Sequence, residues 1–279
     1  MAIKRRCIGM EADRALSPRT AGNENTSLLK ILAIALMIVD HVGVAFFTRP
    51  TYVVELRFLG RIAFPLFAWC MAVGMAYTRS VGKYLLRLLI TGLIAQPCYM
   101  LALNHTWTQI SVFGTLLLGA FGMAGMREKR FGSQYWAPVL ALAVSLVVKV
   151  DYGWMGVLLL LCLYAWRNGK PAIVMGMIAF CLYWGISGGA TFKTVFGVTL
   201  PTAVGFLPQA NGLFSAIRYL QFWAVLALPL MVIPMGKRFR VPQWVWYAAY
   251  PAHLLVIAAI RHWAEIQSFL AGLFGGSTL

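Results

Sequence analysis

Three short groups of ionisable side chains stand inside strongly apolar stretches of the sequence. The first is the Asp40-His41 pair in LLKILAIALMIVDHVGVAFF (28–47). At 100° per residue, Lys30 and His41 fall on nearly one helical stripe, which we expect to face a protein interior. Histidine titrates near neutral pH, so His41 is a candidate general base. The alternative interpretation of Asp40-His41 is a buried charged group that holds two helices together.

The second group is Arg57 and Arg61 in LRFLGRIAFPLFAW (56–69), which share a helix face because they are four residues apart. Arginine donates two parallel hydrogen bonds to a phosphate or carboxylate, and Asp40 is a natural partner for Arg61. Gly60 allows two helices to approach closely. An arginine at a membrane edge can instead extend to lipid headgroups, and this interpretation is favoured for Arg57.

The third group is Tyr250 and His253 in YAAYPAHLL (247–255), which are three residues apart on a helix. Pro251 lies between them and removes one backbone hydrogen bond. A histidine beside a freed carbonyl and a tyrosine hydroxyl can be held in one tautomer and used as an acid or a base. A histidine that only packs between helices is the alternative.

These groups can meet only if the apolar segments between them pack as helices. The chain is 61% hydrophobic and 11% charged with a mean hydropathy of +0.75, whereas soluble domains carry about 25% charged residues. A membrane-spanning helix needs roughly 20 apolar residues. The sequence therefore predicts an all-α, polytopic transmembrane bundle of about nine helices, within a range of eight to ten. The predicted spans are 28–47, 58–77, 84–103, 110–126, 135–150, 152–166, 172–187, 219–235 and 243–261.

The predicted organisation has one membrane domain with a polar tail on each side. Residues 1–27 are interpreted as a flexible cytoplasmic tail, 28–262 as the transmembrane domain and 263–279 as a short C-terminal tail. The segment 188–218 is rich in Gly and Pro, and a loop, a re-entrant segment and a tenth span all remain open for it. With the N-terminus inside, 17 of the 24 lysines and arginines lie on the cytoplasmic side, which favours that orientation.

Two further function classes are disfavoured by composition. The net charge of +16 does not predict nucleic-acid binding, because the basic residues lie at helix ends and do not form one face. The five cysteines form no CxxC pair, and no metal-binding spacing is present.

Asp151, which precedes Tyr152, is interpreted as a solvated helix start.

The order of these pieces resembles the TraX family of conjugative-pilus proteins, which are associated with N-terminal acetylation of pilin. Four segments carry the resemblance, namely LKILAIALMIVDH (29–41), GRIAFPLFAW (60–69), DYGWMGVLLLLCLYAWR (151–167) and WYAAYPAHLL (246–255). The resemblance implies an acetyltransferase of the bacterial inner membrane that uses acetyl-CoA as co-substrate, needs no metal and acts on a pilin subunit in the lipid bilayer. By position, the residues it implicates are Asp40, His41, Arg61, Tyr152 and His253.

These residues suggest a mechanism in which an uncharged amine attacks the thioester and His41 takes the proton. Asp40 would stabilise the imidazolium or pair with Arg61, and Arg61 would bind a CoA phosphate or the thioester carbonyl. His253 and Tyr152 would position the amine or complete the proton path. The remaining candidates for substrate or cofactor binding are Lys30, Tyr250 and Arg57.

Other functions remain open at this point. The same helices would serve an O-acetyltransferase that modifies a surface glycan or lipid, and a non-catalytic pilus-assembly factor or a transporter belongs to a different class. Because the predicted chemical groups lie in the outer half of the membrane, a cytoplasmic donor would need a channel through the bundle.

Overall fold

The computed structural model describes residues 20–187, 191–200, 216–236, 241–263 and 267. This part of the chain is an all-α bundle with one short hairpin. The α-helices are α1 (Thr26–Phe46), α2 (Pro50–Gly60), α3 (Ala63–Tyr77), α4 (Val81–Leu103), α5 (Val112–Glu128), α6 (Ser133–Val147), α7 (Gly153–Trp166), α8 (Lys170–Ile186), α9 (Leu228–Val232) and α10 (Gln243–Arg261). The hairpin strands are β1 (Thr194–Val195) and β2 (Val198–Thr199), and 3-10 helices cover Arg130–Gly132 and Leu220–Ala227.

The described helices run along the bundle nine times. In this count α2 and α3 form one passage, and the 3-10 helix Leu220–Ala227 forms one passage with α9. The prediction of an all-α bundle of about nine helices is therefore confirmed. Two passages differ from the expected bounds. The second begins at Pro50 and is interrupted at Arg61–Ile62, since Pro65 has no N–H to bond the carbonyl of Arg61. The passage expected at 219–235 is mostly 3-10 helix, Leu220–Ala227.

Three helical stretches are long and apolar enough to cross a membrane within the described residues. They are Thr26–Phe46, Thr51–Tyr77 and Val81–Leu103, with 21, 27 and 23 residues. Shorter apolar helices cover Gly153–Trp166, Lys170–Ile186 and Leu220–Val232. The spanning role of the shorter helices stays a prediction.

Residues 20–25 pack against the bundle, although the sequence assigned them to the flexible tail. The N–H of Ala21 donates to the carbonyl of Arg167 (2.7 Å), and the indole of Trp69 donates to the carbonyl of Asn23 (2.8 Å). The side chain of Asn25 caps α1 by accepting from the N–H of Leu28 (3.4 Å). The predicted tail residues 1–19 lie outside the described part.

The central helix is α3, which is apolar on all sides and buried along most of its length. Helix α1 packs on α2, α3 and α10, and α10 packs on α4. These contacts bring the first and last apolar segments of the sequence together. We call the end of the bundle that carries Thr26, Tyr77 and Gln243 the proximal end, and the end that carries Phe46, Leu103 and Gly153 the distal end.

A small hairpin covers part of the distal end. Thr194 pairs with Thr199, and the turn residues Phe196 and Gly197 both have positive φ, as tight hairpins require. Phe58 of α2 contacts Phe192 beside the hairpin (6.3 Å between ring centroids). The sequence left the structure of the segment 188–218 undecided. Residues 191–200 of this segment form the hairpin, and 188–190 and 201–215 lie outside the described residues.

Candidate functional site

A cavity of about 680 Å³ runs along the inside of the bundle. Its walls include Tyr77 and Gln243 at the proximal end and Gln109 and Asp151 at the distal end. Seven of the eight sequence-predicted site residues line it, namely Lys30, Asp40, His41, Arg57, Arg61, Tyr152 and Tyr250. The eighth, His253, contacts His41.

His41 of α1 and His253 of α10 form a hydrogen-bonded pair although they are 212 residues apart in the sequence. Nδ1 of His41 lies 2.7 Å from Nε2 of His253, and Nδ1 of His253 lies 3.0 Å from the carbonyl oxygen of Ala249. The ring planes differ by 3° and their centroids are 5.0 Å apart, which places the bond in the common plane of the two rings.

This chain of contacts determines the tautomers of the neutral pair. A carbonyl oxygen only accepts, so Nδ1 of His253 carries a proton and donates it to Ala249. In the neutral ring Nε2 of His253 then accepts from Nδ1–H of His41. The lone pair of His41 is left on Nε2, on a ring that lines the cavity. Such a nitrogen can take a proton from a ligand while the Nδ1 proton moves to His253.

The second feature is an ion pair between α1 and the interruption after α2. Oδ1 of Asp40 lies 3.4 Å from Nη2 of Arg61 and 3.7 Å from Nε of Arg57. Arg61 has only 6% of its side chain exposed, whereas Arg57 has 40%. Arg61 therefore contacts Asp40, the partner that the sequence suggested for it. Arg57 lies at the edge of the site and makes the longer contact with Asp40.

Arg61 is held by further contacts that the sequence interpretation did not include. Its Nη1 donates to Oε1 of Gln221 (3.3 Å) and its Nε to the carbonyl of Arg57 (3.4 Å). Its guanidinium carbon also lies 5.7 Å from the ring centroid of Tyr152. The sequence feature that could have identified Gln221 is its polar amide inside the apolar run LQFWAVLA.

Gly60 explains how Asp40 comes so close to α2. A Cβ added at Gly60 would lie 2.4 Å from Cβ of Asp40 and 2.6 Å from its Oδ1. The Cβ position of Asp40 is fixed by the backbone of α1, so no change of its rotamer can relieve the 2.4 Å approach. The absence of a side chain at this position therefore sets the distance between the two helices.

We expect Gly60→Ala to lower the free energy of unfolding by about 1–3 kcal/mol, because it overpacks the contact with Asp40. Thermal unfolding of the detergent-solubilised protein measures the effect. The matched control is Gly82→Ala on α4, where an added Cβ meets nothing within 4 Å. Equal stability of the two variants would show that α1 and α2 are not as close as described.

Two tyrosines flank the charged groups. Tyr152 stacks on Phe64 with ring centroids 3.8 Å apart and planes 10° apart. Tyr250 is buried with its ring edge-on to His41 (6.1 Å between centroids). The hydroxyl of Tyr250 has no hydrogen-bond partner within the described part of the chain, so it is available to a ligand in the cavity.

Asp151 lies at the start of a helix, as the sequence indicates, and also lines the cavity. It precedes Tyr152, the N-cap residue of α7, and its side chain is exposed to the cavity. Enclosure by the surrounding protein raises the pKa of the Asp151 carboxyl, and the nearby Arg61 counteracts this shift. The structure thus adds to the interpretation as a helix start that this carboxyl group lies at the distal mouth of the cavity.

Lys30 lies apart from the other predicted residues. It is eleven residues before His41 on α1, a separation of roughly 16 Å along the helix axis. Its Nζ lies 5.4 Å from the ring centroid of Trp246. The structure thus brings seven of the predicted residues together in the distal half and places Lys30 in the proximal half of the same cavity.

No group of three or more His, Cys, Asp or Glu side chains with metal-binding geometry occurs among residues that the structure describes. Cysteines 70, 98, 162 and 181 are free thiols. The expectation that catalysis needs no metal stays a prediction.

Comparisons with known proteins give a family and a relative. The TraX family, described as "TraX protein", matches residues 25–261. A relative from Dichelobacter nodosus, named "Probable fimbrial assembly protein FimC, serogroup H1", is 42% identical over 263 residues, which cover 84% of this chain and 94% of that protein. No solved structure matches.

Proposed function

The chain belongs to the TraX family, and from this premise we propose that it is a membrane-embedded acetyltransferase acting in pilus assembly. The donor is acetyl-CoA, and the acceptor is an amine, the N-terminal α-amine of a pilin subunit. The relative's printed name, a fimbrial assembly protein, supports the connection with pili. The observation that carries the proposal is the hydrogen-bonded chain from Ala249 through His253 to His41, which ends in a cavity.

The proposed location is the bacterial inner membrane, with the proximal end facing the cytoplasm. Large apolar side chains point outward from several helices, including Leu93, Leu146, Met175 and Val256, all more than half exposed. Such a perimeter suits lipid rather than water. Among the described residues the proximal half also carries nine lysines and arginines against seven in the distal half, in the direction of the positive-inside rule. The nine are Lys30, Arg79, Lys83, Arg87, Arg127, Lys129, Arg130, Arg167 and Lys170.

In the proposed reaction the amine nitrogen forms a bond to the carbonyl carbon of the thioester. Nε2 of His41 takes the proton that the amine loses, and the Nδ1 proton of His41 shifts to His253. The carbon–sulfur bond then breaks, and the proton returns through His41 to the departing CoA thiolate. The products are an N-acetylated acceptor and free CoA, and neither histidine is consumed.

Arg61 is positioned to stabilise the negative charge that develops on the carbonyl oxygen. Three of its five N–H bonds point to Asp40, Gln221 and the carbonyl of Arg57, which leaves two for a ligand among the described contacts. A fixed cation in a site of low dielectric constant stabilises such charge strongly. Asp40 pairs with Arg61 and therefore acts by holding the guanidinium, rather than by orienting His41.

The shape of the cavity suits a donor and an acceptor that arrive from opposite sides. Its lining continues from Gln243 at the proximal end to Asp151 at the distal end. A cytoplasmic thioester can then enter at the proximal mouth, while a membrane-inserted chain whose N-terminus lies outside reaches the distal mouth. Asp151 lines the cavity at that mouth and can accept a hydrogen bond from the entering amine.

The direct test is to incubate the purified protein in nanodiscs with labelled acetyl-CoA and the pilin encoded beside its gene. We expect one acetyl group on the pilin N-terminal peptide, detected by mass spectrometry. The matched control is the same pilin with a chemically blocked N-terminus, which should remain unlabelled. Label on a surface glycan or lipid instead would establish the O-acetyltransferase alternative, and no label on any acceptor would reject acetyl transfer altogether.

A further inference from the structure

The proximal half of the cavity contains a cluster that the proposed reaction does not use. We call it the proximal cluster, and it consists of Lys30, Arg87, Gln243, Trp246 and Tyr247, all of which line the cavity. Nη1 of Arg87 donates to Oε1 of Gln243 (3.2 Å), and its guanidinium carbon lies 5.9 Å from the ring centroid of Tyr247. Nζ of Lys30 likewise lies over an aromatic ring, 5.4 Å from the ring centroid of Trp246.

The cluster carries a net positive charge, because it contains Lys30 and Arg87 and none of its five residues is acidic. Nε of Arg87 is buried without a hydrogen-bond partner among the described residues. One acid, Glu24, lines the adjoining smaller cavity together with Lys30, and its Oε1 accepts from the hydroxyls of Tyr77 (2.6 Å) and Thr20 (2.9 Å). One carboxylate beside two cations leaves an excess of positive charge. A buried donor and two cations beside aromatic faces are suited to phosphate oxygens and a flat ring in one ligand.

We propose that the proximal cluster binds the phosphate-bearing nucleotide portion of the donor thioester, with Arg87 and Lys30 paired to its phosphates. This inference rests on the proposed function and adds the site at which the donor is recognised. It also moves phosphate binding away from Arg61, because that guanidinium is already paired with Asp40 and Gln221.

The separation between the two halves of the cavity fits such a donor. Lys30 and His41 are eleven residues apart on one helix, which is roughly 16 Å along its axis. A donor held at Lys30 by its phosphates must therefore have a long linker before the thioester. Coenzyme A has this form, since its pantetheine arm separates the phosphates from the sulfur.

The test measures binding of CoA to the full-length protein in nanodiscs of zwitterionic lipid by isothermal titration calorimetry. We expect Arg87→Gln and Lys30→Gln each to weaken binding about tenfold, which is typical of one lost charge-assisted hydrogen bond. The matched control is Lys83→Gln, which removes an exposed cation from the same helix as Arg87 and does not line the cavity. Thermal unfolding of each variant establishes that it is folded.

A second measurement uses acetyl-pantetheine, a thioester that lacks phosphates. Arg87→Gln should lower kcat/KM for acetyl-CoA about tenfold and leave kcat/KM for acetyl-pantetheine unchanged. Equal losses with both donors, or unchanged CoA binding by the variants, would overturn the inference. In parallel nanodiscs that contain anionic lipid, loss of bound anionic lipid from the Arg87 variant with unchanged CoA binding would assign the cluster to lipid headgroups and would overturn the inference as well.

The two proposals can fail separately. CoA binding that depends on Arg87 without any acetyl transfer would reject the proposed function and keep the phosphate site. Acetyl transfer with a normal acetyl-CoA dependence in Arg87→Gln would keep the function and reject the phosphate site.

Discussion

Replacing His41 by alanine should lower the rate of acetyl transfer by roughly 10²–10⁴-fold, the range over which a positioned general base accelerates a reaction. His41 is the member of the histidine pair that lines the cavity, and its Nε2 holds the free lone pair in the neutral tautomer. Without the imidazole, the proton of the attacking amine loses the acceptor that the proposed reaction uses. Single-turnover transfer from labelled acetyl-CoA measures the loss.

His253 should behave as a positioning residue, because it acts through His41. We expect His253→Ala to lower the rate less than His41→Ala, and the double variant to be no slower than His41→Ala alone. The pH profile of His253→Ala should also shift, since its loss removes the acceptor for Nδ1–H of His41. The control is His262→Ala, a histidine of the same end of the chain that does not line the cavity. Independent, multiplicative effects of the two substitutions would contradict a proton path through the pair.

The positions of most helices could be predicted well, because an apolar run long enough to form one helix must be buried in protein or face lipid. The last helix was expected at 243–261 and is observed at Gln243–Arg261, and 84–103 corresponds to Val81–Leu103. Mean hydropathy cannot distinguish a 3-10 from an α-helix, which is why Leu220–Ala227 was expected to be an ordinary span. The break at Arg61–Ile62 lies where Pro65 leaves the carbonyl of Arg61 without an N–H partner.

Charge complementarity made part of the site predictable. Asp40 and Arg61 are oppositely charged groups in neighbouring apolar helices, and an unpaired charge there is costly. The stripe from Lys30 to His41 follows from helical geometry alone, and both residues line the cavity. Their roles in binding and catalysis remain predictions.

The contact between His41 and His253 could not be derived from the sequence. It depends on the rotation of α10 against α1, which is set by many apolar contacts that no local pattern encodes. The same holds for Asp151, because a carboxyl group before a helix looks solvated unless the opposite wall of the cavity is known. Gln221 was missed because its partner, Arg61, comes from a segment 160 residues earlier.

The second large effect is expected at Asp40. Asp40→Ala leaves the guanidinium of Arg61 buried without its carboxylate, and breaking such a pair costs about 3–5 kcal/mol of unfolding free energy. Arg57→Gln serves as the control, because its exposed, longer contact with Asp40 contributes about 0–1 kcal/mol. Thermal unfolding of the solubilised variants gives the ranking.

The double variant Asp40→Ala/Arg61→Met separates the structural role of the pair from its chemical role. Removing both charges eliminates the unpaired cation, so we expect the double variant to recover most of the stability that Asp40→Ala loses. Acetyl transfer should nevertheless remain low, because the buried guanidinium of Arg61 is gone and Arg57 lies at the more exposed edge of the site. Recovery of both stability and activity would mean that the ion pair only holds α1 to the interruption after α2, and the electrostatic part of the proposed mechanism would then have to be abandoned.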